Sequence, residues 1–296
     1  MGYYTPFYIF IITNNFIVIQ HFLKKYETIL QLKRYSPSTI SSYSNFMLQF
    51  VNRFNYTEKN LIQLSNKQII KSCITLIQEK KYSHSSQKQF LGSIKKFYSE
   101  CFRRDIDLSV IYPSRSPRTL PDILSLNEVK VLLNETKNMK HKAILTTIYG
   151  LGLRISELIN LKITDIDSDR MIVSIRQAKG KKDRNVMLPD NLLKLLRTYF
   201  LEYNPKIYLF EGQNLSRYSA SSIRKILIKS IKKTGITKKV KVHTLRHSFA
   251  THLLENGTDV RIIQKLLGHN NLNTTMLYTQ VANTTISRVK SPLDLL

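Results

Sequence analysis

Acidic residues are scarce in this chain. Twenty Asp and Glu stand against 46 Lys and Arg in 296 residues, a formal net charge of +26. A surplus of that size repels itself unless a polyanion neutralises it, so a nucleic acid or an anionic surface is the expected partner. The basic residues run through the whole sequence rather than a tail, which favours a folded surface that wraps a polyanion over a disordered basic arm. Cysteine is nearly absent as well. Cys73 and Cys101 are the only two, and neither has metal-ligand spacing. That excludes a disulfide framework, fits a reducing cytoplasm, and makes both thiols small core residues. Long hydrophobic runs are missing too. Phe7 to Ile12 and Phe16 to Ile19 are apolar, but Thr13-Asn14-Asn15 divides them. Neither reaches the ~18 residues of a membrane span, and no basic residue or cleavage-type site flanks them. They read as an added segment packing on the first domain or as a poorly ordered extension, with no membrane role. No internal repeat or low-complexity tract is evident.

What is there begins as helix. Ser36-Pro37 supplies a cap and a first-turn proline, and Ile40, Tyr43, Met47, Phe50 and Phe54 then share one helical face. Ser65 with Gln68 forms a capping-box pattern ahead of Ile69, Ile70, Cys73, Ile74 and Ile77. Phe90, Ile94, Phe97 and Tyr98 mark another helix. With a segment from about residue 16 to 33, these predict four helices with lysine-rich outer faces. Pro113, Pro117 and Pro121, interleaved with Arg115 and Arg118, then break the pattern as an extended basic connector. Ser125 and Glu128 open a second domain with another capping box. Its first helices end near Gly150 and Gly152. Met171 to Arg176 and Arg184 to Leu188 read as paired strands around a polar turn at 178–183. Helices resume from about Asp190, with a short strand expected at Tyr208 to Phe210. The expected division is an extension at 1–15, a helical domain at 16–107, a linker at 108–121 and a second domain at 122–296.

The chemistry-bearing residues crowd towards the C-terminus. His243 and Arg246 lie three apart, so on a helix an imidazole and a guanidinium address one anion. The guanidinium fork matches two phosphate oxygens in a way that lysine cannot. His243 and His247 also have the four-residue spacing of a zinc helix. No glutamate follows the first histidine, however, and the adjacent arginine repels a cation, so a metal site is not expected. His247 and His252 are read as packing or hydrogen-bonding structurally. Arg154 follows Gly150-Leu-Gly-Leu, with Glu157 three residues on. Taken alone, that pair reads as a surface ion pair. Lys179 sits at the hairpin tip, where Lys181 and Lys182 compete for any assignment. His269 and Tyr278 complete the set, although one tyrosine among 16 carries no signal by itself.

In order, however, Gly-Leu-Arg154-Ile-Ser-Glu, Lys179-Gly-Lys-Lys-Asp-Arg, His243-Thr-Leu-Arg246-His, Leu-Leu-Gly-His269 and Tyr278-Thr-Gln-Val closely resemble the tyrosine recombinase (phage integrase) family, and most of all its compact Xer-type members. The resemblance covers the C-terminal half almost end to end. It extends more loosely to the N-terminal half through Tyr35-Ser-Pro-Ser-Thr-Ile-x-x-Tyr43. It implies a mainly α fold with a small β-sheet: an N-terminal four-helix, SAM-like core-binding domain followed by an α+β catalytic domain. It implies that Tyr278 attacks the scissile phosphate to leave a 3′-phosphotyrosyl bond and a free 5′-hydroxyl. Arg154 and Arg246 would clamp the non-bridging oxygens, and Lys179 would protonate the leaving oxygen. His243 would assist proton transfer with the nucleophile, and His269 would hydrogen-bond the phosphate. No ATP, catalytic metal or other cofactor is implied. The implied partners are double-stranded DNA at specific sites and further protomers, in a homo- or hetero-tetramer that could include a second recombinase. The tail Ser291 to Leu296 would dock on a neighbouring protomer. Ala178, in place of a common glycine, and Gln280, in place of a common histidine, are small departures. Two rival readings stay open: a strand passer resembling type IB topoisomerases, and a catalytically silent DNA-binding regulator on the same fold.

Overall fold

The computed structural model describes residues 22–54, 58–114, 121–176 and 183–280. The apolar N-terminal runs, the basic connector at 115–120, Lys179 and the C-terminal tail lie outside the described residues. The chain divides into two compact units at Arg118 and Thr119.

The first unit is helical throughout. Helix α1 covers residues 22–32. It is followed by α2 (Pro37–Phe54), a short α3 (Glu58–Gln63), α4 (Asn66–Lys80) and α5 (His84–Phe102). The expected caps are in place: Ser36 Oγ accepts from Thr39 N at 3.2 Å, and Ser65 and Gln68 close a full capping box. Ile40, Met47 and Phe50 are buried as their spacing predicts, against Phe90, Ile94, Phe97 and Tyr98 of α5. The core is rich in aromatics set edge to face, such as Tyr26 on Phe97 at 5.2 Å and 83°. Buried phenols need acceptors and find backbone carbonyls: Tyr26 on Ser93 and Tyr98 on Leu61. Cys73 is buried and Cys101 half-buried against the same core. Leu108 is buried there too, in the segment read as the start of the linker, and Ile111 packs alongside.

The second unit wraps helices around α7 (Met139–Gly150) and α11 (Val242–Glu255). Ala143, Ile144, Leu145, Thr147 and Ile148 are all buried, so α7 is covered on most of its circumference. Around these lie α6 (Leu126–Glu135), α8 (Ile155–Asn160), α9 (Asp190–Tyr203), α10 (Ala220–Ile231), α12 (Val260–Leu267) and α13 (Leu272–Met276). The sheet has three antiparallel strands in the order β1 (Ile166–Asp167), β2 (Ile172–Ile175), β3 (Arg184–Met187). Val173 pairs Val186, and Ile175 pairs Arg184. Strand alternation puts Arg184 on the same inward face as Val186.

The strand expected at Tyr208 to Phe210 is not formed. Tyr208 makes one isolated bridge to Lys162, and Leu209 N donates to Leu161 O at 2.8 Å. Leu209 and Phe210 are apolar because they enter the core, not because they join a ladder. Among the described residues no helix is long and apolar enough to cross a membrane.

Candidate active site

The site is built on one face of α11. Positions 243, 246, 247 and 250 fall together at helical spacing. Arg246 is fully buried, at 0% exposure. Its Nη1 donates to Gly152 O at 2.7 Å and its Nη2 to Leu267 O at 2.6 Å. Its Nε is buried with no hydrogen-bond partner among the described residues. Burial, with Arg154 nearby, lowers its pKa to about 10, so it remains a cation at neutral pH.

A buried guanidinium is costly without a counter-charge. Glu157 supplies one, with a side chain only 3% exposed. It is the acidic residue of a capping box at the start of α8, where Arg154 N donates to its Oε2 at 2.8 Å. Instead of facing solvent it collects three guanidinium groups. Arg154 Nη1 reaches Oε1 at 2.7 Å, and Arg184 binds both oxygens, at 3.0 and 2.8 Å. Arg246 Nη1 lies 3.6 Å from Oε2. Burial alone would raise this carboxyl; the Arg184 hydrogen bonds and charge, with Arg154 and Arg246, overcome it and hold the pKa at about 2. Arg154 with Glu157 is therefore not the surface pair that its spacing suggested.

The same three arginines cap a helix. The last carbonyls of α12 have no partners within the helix. Leu266 O accepts from Arg184 Nε at 2.6 Å and Leu267 O from Arg246, while Leu267 O and Gly268 O lie 3.4 and 3.3 Å from the Arg154 nitrogens. The negative end of the α12 dipole adds to the attraction. Two glycines make this convergence possible. Gly152 has φ +60°, and a Cβ there would sit 2.4 Å from Phe249 Cδ1. Gly268 ends α12 in the left-handed region, 3.2 Å from Arg184 Cδ to the same imagined atom.

Tyr278 lies in a single 3₁₀ turn, Leu277–Gln280, and is 2% exposed among Phe249, Ala250, Ile263 and Leu267. Its phenol oxygen is 3.1 Å from His247 Nδ1. His269 stacks against the ring at 6.2 Å and 18°, and its Nδ1 is held by Thr275 Oγ1 at 2.9 Å. Burial raises the phenol pKa while Arg246 and Arg154 pull it down, leaving a net rise. Burial, then Arg246 and Arg154, drives His269 to about 3. Burial, His243 and Arg246 drive His247 to about 4. Both rings are neutral at pH 7. His243 sits exposed at the rim, edge-on to His247 at 4.5 Å, and desolvation by the surrounding protein with Arg246 and Arg154 lowers its pKa.

Five of the six expected residues thus converge: Arg154, His243, Arg246, His269 and Tyr278. Lys179 lies outside the described residues, although the two strands flanking its turn are formed. His252 is structural as expected, bonded to Tyr149 Oη at 2.9 Å. His247 hydrogen-bonds as expected, but its partner is the phenol of Tyr278, which no such bond joins to His243 among the described residues. Arg184 was missed altogether. Its signal was an arginine in phase with Val186 and Leu188 on the inward side of a strand.

Residues 122–285 match the phage integrase family, and residues 22–108 match the N-terminal SAM-like domain of phage integrases. The chain belongs to the phage integrase family. The integrase/recombinase y4qK of Sinorhizobium fredii is 39% identical over 269 residues, covering 90% of this chain and 86% of that one. The tyrosine recombinase XerA of Pyrococcus horikoshii is 32% identical over 270 residues, 90% of each chain. Among solved structures, a XerA recombinase is 29% identical with a TM-score of 0.51, covering 93% of this chain and 95% of that one. A lambda integrase dimer bound to a core site shares the fold, with a TM-score of 0.71 over 92% of this chain and 98% of that one at 16% identity. As a member of this family, the chain is a tyrosine-type site-specific recombinase.

Proposed function

We propose that this recombinase cuts and rejoins DNA through a 3′-phosphotyrosyl intermediate, and that paired exchanges pass through a Holliday junction. Tyr278 Oη attacks the scissile phosphorus as the bond to the 5′-oxygen breaks. Lys179 gives that oxygen its proton. Arg154 and Arg246 hold the non-bridging oxygens, His243 assists proton transfer with the nucleophile, and His269 hydrogen-bonds the phosphoryl group. The observation that carries this reading is Arg246: fully buried, with an Nε donor that has no partner among the described residues, beside Arg154 and near enough to Tyr278 for its charge to pull the phenol pKa down. A group so costly to bury is held ready for an anion.

The helical domain at 16–107, the linker at 108–121 and the catalytic domain at 122–296 would together clamp a duplex. Four protomers would act on two sites, each half-site being about one helical turn of DNA. The tail from Ser291 would couple neighbouring protomers, and the reaction would run in the cytoplasm. Chromosome or plasmid dimer resolution and mobile-element integration or excision use the same chemistry.

The test is a library of nicked duplexes with randomised arms around the break. Covalent adducts are recovered from a denaturing gel and sequenced. Adducts with the wild-type protein and none with Tyr278→Phe are expected. Adducts that persist in Tyr278→Phe would remove the nucleophile assignment. Retarded but unreacted duplex would favour the silent DNA-binding regulator.

A further inference from the structure

We propose that His247 is a further catalytic residue, one that orients the Tyr278 phenol and takes its proton as the phenol attacks phosphorus. This deepens the reading above and rests on it. The geometry is specific. His247 Nδ1 is 3.1 Å from Tyr278 Oη, within direct proton-transfer reach. His247 stands on the same face of α11 as Arg246, one residue along, so the clamp and the proton acceptor share a rigid support. The ring is half-buried and wedged, with His243 edge-on at 4.5 Å and the Tyr278 ring at 5.6 Å. The other imidazole against the phenol, His269, stacks nearly parallel to the ring at 6.2 Å and 18°, whereas the hydrogen bond at the phenol oxygen is with His247.

Balance is straightforward. The proton leaves Tyr278 Oη for the Nδ1 lone pair, which requires the tautomer with its hydrogen on Nε2. The Oη–P bond forms, the P–O5′ bond breaks, and the leaving oxygen is protonated by the general acid. Rejoining runs backwards, with His247 returning the proton to the departing phenol oxygen. The ring is a weak base because it is desolvated and has His243 and Arg246 as neighbours. A phosphodiester placed on the arginines brings the opposite charge and strengthens the base, so proton uptake is favoured only once substrate is seated.

The test uses the full chain and the nicked duplex recovered as above, with single-turnover adduct formation and duplex retardation measured separately. His247→Ala should form adduct about 10²-fold or more slowly while still retarding the duplex, and added imidazole should restore the rate at least tenfold in part. His247→Asn places an amide near Nδ1 that can orient the phenol but cannot take its proton. It should be as slow as the alanine variant. An asparagine variant as fast as wild type would overturn proton transfer, and an alanine variant within threefold of wild type would overturn the proposal entirely. Should the alanine variant fail to retard DNA, the asparagine rate alone decides. If wild type itself forms no adduct, the reading of the site falls and this proposal with it. If wild type reacts and the variants match it, only this proposal falls.

Discussion

Replacing Glu157 with glutamine tests whether one carboxylate assembles the site. Glutamine keeps the shape and removes the charge that Arg154, Arg184 and Arg246 share. It also turns an amide donor towards a guanidinium. The carboxyl titrates at about 2 instead of its ordinary 4.5. At ~1.4 kcal/mol per unit, that displacement corresponds to about 3 kcal/mol of stabilisation. The figure agrees with the roughly 3–5 kcal/mol lost when one partner of a buried ion pair is removed. For a domain of this size it should lower the unfolding temperature by about 6–12 °C at pH 7. Because the folded carboxyl is the stronger acid, its contribution is complete above the unfolded pKa and fades as pH falls from about 4.5 towards about 2. The gap between wild type and Glu157→Gln should therefore shrink by about 60% at pH 3. Calorimetric unfolding of both proteins at pH 7 and pH 3 measures this. A gap below about 1 kcal/mol at pH 7, or one that does not narrow at pH 3, would refute a charged Glu157 as the organiser.

Three further outcomes follow from the same contacts. Gly152→Ala should cost about 2–3 kcal/mol, read as a lower unfolding temperature, because the backbone is left-handed there and the new methyl would meet the Phe249 ring at 2.4 Å. Arg246→Lys should slow adduct formation by about 10²-fold or more while duplex retardation persists, since a single ammonium cannot serve both Gly152 O and Leu267 O and still offer a free donor. Tyr278→Phe should leave stability within about 1 kcal/mol of wild type by denaturant titration, because it gives up only one hydrogen bond, to His247.

Much of the fold was legible where a local signal is strong. The boxes at Ser65–Gln68 and Ser125–Glu128 form as their spacing requires, and the apolar face of α2 is the buried one. The hairpin register follows from its alternation. Short elements were not legible. Helix α3 and strand β1 are too brief to show a period, and Leu209-Phe210 has the composition of a strand while serving as a core-filling loop. At the site, order along the chain singled out Arg154, His243, Arg246, His269 and Tyr278, which the fold brings together. It could not reveal that Glu157 faces inward or that Arg184 completes its shell, since both depend on where α12 ends. Nor could it rank His247 above His243 at the phenol, because both lie on the same helical face and only the position of the 277–280 turn separates them.

The count of charges explains why Arg184 belongs to the site although it need never touch DNA. Glu157 has one negative charge to give. If it were shared only by Arg154 and Arg246, it would cancel half of the clamp and leave a net charge of one. Arg184 occupies both carboxylate oxygens from the strand side, so the three guanidiniums and one carboxylate together keep a net charge of two, even though Arg154 also pairs with Glu157 Oε1. A phosphodiester brings one negative charge, and attack by a deprotonated phenol raises the reacting group to two. On the proposed chemistry, those two surplus charges would answer the charge of the transition state better than that of the bound strand, which is the condition for lowering a barrier instead of merely tightening binding. On this argument Arg184→Met should weaken adduct formation more than duplex retardation, the opposite of what loss of a simple DNA-contacting arginine would do.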